Sequence, residues 1–215
     1  MIKDCALVSI ATGRRAGSLP EFRDGIRAVP QESIYFHFWG RLLRPRFDDP
    51  EYHSDFASWV QHNLHDELLA ERLAVIDPAD FADLERLREE VVEVIDAHLQ
   101  SALPVYTRPD RQFHFRRCQT VVFDARHSIG APEQLPEALR GMSLGSIYYH
   151  VIDARRREPV RKDDVRAWLE DLGGAYQALA DQLGTIDPYF SNLAEIRDQM
   201  AGVAAGFFGE GSSAR

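Results

Sequence analysis

S-I-Y-F-H at residues 33–37 returns as S-I-Y-Y-H at residues 146–150, one ring hydroxyl apart. The echo is the centre of a longer match. With an offset of 113, residues 5–37 align without a gap to 118–150, pairing Cys5 with Cys118, Val8 with Val121, Gly17 with Gly130, Arg27 with Arg140, Ser33 with Ser146, Ile34 with Ile147, Tyr35 with Tyr148 and His37 with His150. Past a shortening of the second copy, D-F-A-S-W-V at 55–60 answers D-V-R-A-W-L at 164–169, and L-A-E-R-L-A-V-I-D-P at 69–78 answers L-A-D-Q-L-G-T-I-D-P at 179–188. Collinear blocks over most of a chain mark an internal duplication, which governs how every other residue is read. The first repeat spans 1–103, a connector 104–111, the second repeat 112–208, and a flexible tail 209–215. Both repeats are expected in one compact body.

Each copy carries one convincing strand, at 6–11 and at 113–123, followed by a Gly-containing turn and a short amphipathic helix, 20–29 or 133–142. The duplicated Ser-Ile-Tyr segment starts at a Ser suited to capping and is apolar nearly all round, which favours a central buried helix over a strand. Asp55 precedes Phe56, Trp59, Val60 and Leu64 at helical spacing. Ile-Asp-Pro then stops a helix, and Asp77 caps a last one from about 79 to 99, whose apolar stripe lands next on His98. The second copy's counterpart runs from 190 to about 203. This predicts an α+β fold, mainly α, with about four helices per copy. A lone strand cannot satisfy its edges, so the two strands are expected to pair antiparallel across a pseudo-two-fold axis.

The net charge of −9 disfavours a nucleic acid or an anionic membrane as partner, because the long-range field repels both. The opening apolar run is too short and interrupted for a membrane span or signal peptide, which points to the cytoplasm. Two cysteines without an export signal read as reduced thiols, small buried hydrophobes in equivalent strands.

The candidate ligand-binding residues are Tyr35, His37 and Arg41 of the first copy and Tyr148, His150 and Arg155 of the second. Imidazoles beside arginines suit a general base or an anion site, because guanidinium forks bind phosphate and carboxylate. The arginines of the two clusters (Arg41, Arg44, Arg46; Arg155, Arg156, Arg157, Arg161) lie among acids that favour salt-bridge networks instead. The histidines equally fit a core role, bonded to a carbonyl or an acid. Asp55 and Asp164 fit helix starts, with Trp59 and Trp168 in the core. No metal site is read from His53, His62 and His65, and T-G-R-R-A-G at 12–17 is read as a turn rather than a phosphate loop. No G-x-S-x-G, C-x-x-C or H-E-x-x-H motif is present, and the cofactor is unknown from the sequence.

The early A-T-G-R-R-A, the S-I-Y-Y-H pattern, its Arg-rich continuation, D-F-x-x-W and a later I-D-P together resemble an uncharacterised prokaryotic family of unknown function. The resemblance covers most of the chain and implies no activity or cofactor. The leading functional expectation is a non-catalytic binding or regulatory module, whose seam near Tyr35, His37, Tyr148 and His150 takes a small anionic molecule or a partner segment. The alternatives are an enzyme using one His as general base with Asp or Arg partners, and a structural subunit that self-associates, for instance as a homodimer.

Overall fold

The computed structural model describes residues 1–43, 52–81, 83–101, 109–157, 161–188 and 191–212. Strand β1 (Lys3–Ala16) opens the chain, followed by helices α1 (Leu19–Ala28), α2 (Gln31–Trp39), α3 (Asp55–Trp59), α4 (Glu67–Ala74) and α5 (Leu84–Ser101). Strand β2 (Phe113–Asp124) precedes α6 (Leu135–Gly141), α7 (Leu144–Ile147), α8 (Asp164–Asp171), α9 (Gln177–Gly184) and α10 (Leu193–Ser212). The fold is α+β and mainly helical, with β1 and β2 forming an antiparallel two-stranded sheet.

Two compact units divide the chain, and both boundaries fall inside the strands. One unit comprises residues 7–119 and the other residues 1–6 with 120–215. Each unit therefore joins its helices to a strand end from the opposite half of the sequence.

In the 7–119 unit, Ser18 caps α1 by accepting the Glu21 amide, and Pro20 sits in the first turn, where a missing N–H costs nothing. Glu21 also reaches back to the Gly17 amide at 2.7 Å. Helix α2 is buried from Ser33 through Trp39, as its apolar circumference requires. Its Ser33 is not the cap, which is Pro30; instead the Ser33 hydroxyl donates to Arg116 O at 2.7 Å, fastening the helix to β2. Helix α5 begins at Leu84 rather than near 79, because Asp83 accepts the Arg86 amide and restarts the helix after the turn at Pro78–Asp80. Buried Arg88 donates to the carbonyls of Ile26, Arg27 and Val29, satisfying the end of α1.

The other unit repeats several of these details. Gln134 accepts the Gly130 amide at 2.9 Å, as Glu21 accepts that of Gly17. The Cys5 thiol donates to Gly145 O at 3.3 Å and the Cys118 thiol faces Glu32 O at 4.0 Å. Both thiols are buried. Ser146 is again inside its helix, with Ser143 as the cap. Helix α7 is short because the next residues, Tyr148–Ile152, form a π-helical turn. Helix α10 continues to Ser212, so the Gly-rich run beyond Met200 is helical.

The 12–17 segment is strand as far as Ala16, not a turn; the Thr12 hydroxyl donates to Phe115 O at 2.7 Å and holds it against β2. Residues 44–51 and 102–108, with Arg44, Arg46 and most of the 104–111 connector, lie outside the described residues.

Two glycines set close approaches. A Cβ on Gly25 would lie 2.3 Å from a Phe115 ring atom, and one on Gly145 would lie 2.3 Å from Cys5 O. Gly25→Ala and Gly145→Ala are expected to cost about 1–3 kcal/mol each, whereas Gly202→Ala, where nothing lies near, gains about 0.5–1 kcal/mol. Urea denaturation of the three variants checks this. Burial, helped by Asp153 and Asp4, pushes the Cys5 thiol up to about 12. Cys5 is accordingly expected to resist iodoacetamide at neutral pH until denaturant is added, as read by mass spectrometry.

Candidate functional site

His37 comes from the middle of α2 and is 2% exposed. Its Nδ1 lies 2.9 Å from Asp55 Oδ2, and its Nε2 lies 3.1 Å from the Arg116 backbone nitrogen. A backbone N–H can only donate, so Nε2 is the acceptor and Nδ1 carries the proton given to Asp55. Phe36, Phe56, Phe113 and Phe115 surround the ring at centroid distances of 4.8–6.2 Å. Asp55 is the first residue of α3, where the helix dipole also favours a carboxylate.

His150 repeats this bonding in the other unit. Its Nδ1 is 2.6 Å from Asp164 Oδ2 and its Nε2 accepts the Lys3 amide at 2.9 Å. Asp164 is the first residue of α8. The matched residues stand 113 apart for the imidazoles and the amides, and 109 apart for the carboxylates. In both units a neutral imidazole thus links a helix-start carboxylate to a strand backbone. Neither histidine has a free ring nitrogen.

The surroundings differ. Phe22, Phe56, Trp59, Phe113 and Phe115 form a mutually touching cluster of rings beside His37. Leu135, Val165, Trp168 and Ile2 stand at the positions that match Phe22, Phe56, Trp59 and Phe115. Beside His150 a cleft of about 290 Å³ remains, lined by these four residues with Met142 and Asp164 among others.

The remaining candidate residues are distributed as follows. Tyr35 is buried and stacks on Trp39 at 5.3 Å, and Tyr148 is fully buried. Arg41 donates to Tyr52 O and Ser54 O and lies 3.5 Å from Asp55. Arg155 reaches Asp163 at 3.8 Å. In the second unit Arg157, not Arg155, completes the His–Asp group: it donates to Asp164 Oδ2 at 2.7 Å and to Tyr149 O, and lies 4.1 Å over the Tyr149 ring. The described arginines near the histidines are therefore engaged in ion pairs and backbone bonds. Two residues that sequence reasoning placed only at helix starts, Asp55 and Asp164, are the imidazole partners. The signal was available: both copies place an Asp shortly after the His, ahead of the Trp helix.

Buried His98, on the stripe of α5, makes a third His–acid pair with Asp66 at 2.7 Å. Among the described residues, no group of three or more His, Cys, Asp or Glu is placed to hold a metal, and no helix is long and apolar enough to cross a membrane.

A family model, described as "Family of unknown function (DUF5752)", matches residues 1–205. The chain belongs to this family. It is also similar to a solved structure titled "The structure of OrfY from Thermoproteus tenax", with 26% identity and a TM-score of 0.80 over 95% of this chain and 93% of that one. No curated protein matches the chain. The membership accords with the motif resemblance; neither comparison assigns an activity.

Burial pushes the Asp164 carboxyl up, but the hydrogen bonds from His150 and Arg157 outweigh it and leave the group below the ordinary carboxylate range. A carboxylate so held adds stability above about pH 4, and that contribution is lost as pH falls through the folded value. Asp164→Asn is therefore expected to be most destabilising at neutral pH, with the gap to the wild type closing below about pH 4. His37→Ala is expected to cost about 1–3 kcal/mol, since it strands the part-buried Arg116 amide, and His150→Ala less, since water reaches its cleft. Urea denaturation at pH 7 and pH 3 measures all three.

Proposed function

We propose that the protein is a non-catalytic binding or regulatory module, built by internal duplication with pseudo-two-fold symmetry, in which the second copy is the receptive one. Bonds repeated between residues 113 apart support the duplication: Lys3 to His150 answers Arg116 to His37, and Cys5 to Gly145 answers Cys118 to Glu32. The observation that carries the functional reading is the pairing of two equivalent His–Asp groups, one sealed by aromatic rings and one beside a cleft. A duplicated core that only stabilised the fold has no need to keep one copy open. Engagement of both nitrogens of each imidazole argues for binding rather than for acid–base chemistry.

An enzyme using His150 as general base is the second reading, favoured by the cleft lying beside this histidine and not beside His37. It requires the Lys3 amide to leave Nε2 before a proton can be taken. Substituting His150 without loss of a measured turnover removes that reading.

Thermal-shift screening of the full chain against a broad metabolite panel tests the module. A specific ligand at one hundred times its dissociation constant adds about 2.7 kcal/mol and raises the melting temperature by several degrees. A panel without a hit, together with purification from cells without a partner, overturns the proposal.

A further inference from the structure

The cleft beside His150 is shaped by what the other unit puts in the matching place. Around His37 that volume is filled by aromatic side chains. At the matched positions beside His150, Phe22 is replaced by Leu135, Phe56 by Val165 and Phe115 by Ile2, while the tryptophan is kept as Trp168. Each replacement removes a ring and leaves an aliphatic wall. The space left, about 290 Å³, is near the lower bound of small-molecule sites and large for a defect of packing, since native cores hold few voids larger than a water molecule.

The polar chemistry of the lining is one-sided. It contains no lysine or arginine. Its charged side chain is Asp164, whose Oδ2 already accepts from His150 and Arg157, while Oδ1 accepts no hydrogen bond among the described residues; Met1 borders the cleft as well. His150 has no lone pair or proton left to offer. An occupant must therefore be mostly apolar, carry no negative charge, and bring a donor to the carboxylate.

We infer that this cleft is a binding site for a small uncharged aromatic ring bearing one hydrogen-bond donor, of the phenol or indole class. The inference rests on the module reading above and narrows it: the ring takes the place of aromatic side chains that fill the matching space in the 7–119 unit. The donor is what separates the expected ligand from a plain hydrocarbon, and one hydrogen bond to a carboxylate is worth about 10–150-fold in affinity.

Methyl-detected NMR titration of the full chain with phenol, indole, benzene and benzoate tests it. Phenol and indole are expected to shift the methyl signals of Ile2, Leu135, Met142 and Val165 while leaving Ile26 and Val29 unmoved, with benzene about 10–150-fold weaker. Benzoate is expected not to bind. Val165→Phe, which restores the residue of the first copy, is expected to abolish binding with cooperative melting retained; if that variant fails to fold, the wild-type methyl map decides alone. The site is overturned if phenol and indole leave the cleft methyls unmoved at millimolar concentration, if benzoate binds as tightly, or if a folded Val165→Phe variant binds as before. In those cases a metabolite-panel hit unaffected by Val165→Phe leaves the module reading standing and removes this ligand class only.

Discussion

A neutral imidazole held between a carboxylate and a backbone amide is the interaction on which both units depend. It solves a specific problem. A strand that ends against a helix leaves amide groups facing an apolar surface, and each unpaired one costs about 1–3 kcal/mol. His37 and His150 reach from the helical layer to accept such an amide, and Asp55 and Asp164 fix the tautomer that makes acceptance possible. The carboxylates in turn sit at helix starts, where free amides and the dipole favour negative charge. Strand, buried helix and Trp-bearing helix are thereby joined through one ring.

Around this common device the two units pack by different means. The 7–119 unit surrounds it with phenylalanines in edge-to-face contact, an arrangement that fills space and excludes water. The other unit keeps the tryptophan but trades three rings for branched or shorter chains. Its polar groups meet the change differently: Asp164 is partly exposed and accepts from Arg157 at 2.7 Å, where Arg41 lies 3.5 Å from Asp55, while His150 borders open space. The sealed and the accessible surroundings differ by Leu135, Val165 and Ile2 in place of Phe22, Phe56 and Phe115, and by the ring of Phe113 beside His37.

Much of the architecture was legible in the sequence because apolar periodicity reports burial directly. The uninterrupted burial from Ser33 to Trp39 and the antiparallel pairing of β1 with β2 follow from pattern and edge satisfaction. Boundaries were less legible. Asp83 moved the start of α5, and neither Ser33 nor Ser146 is a cap: Ser33 anchors its helix to β2 and Ser146 pairs with the capping Ser143, since capping depends on which amide a side chain reaches. Of the site, the repeated histidines were visible as candidates; Tyr35 and Tyr148 are buried, and Arg157 rather than Arg155 joins Asp164. The His–Asp bond itself spans 18 residues in one copy and 14 in the other, and no one-dimensional period encodes such a contact.

The placement of both unit boundaries inside the strands has a kinetic corollary. The bond from Lys3 to His150 closes a span of 147 residues, and the one from Arg116 to His37 a span of 79. Loops of that size form slowly, because their closure entropy is paid before the contact rewards it. During synthesis the first few residues must wait for the second half of the chain to emerge. The 7–119 unit can condense while the ribosome is still at work, and the unit with the open cleft matures last.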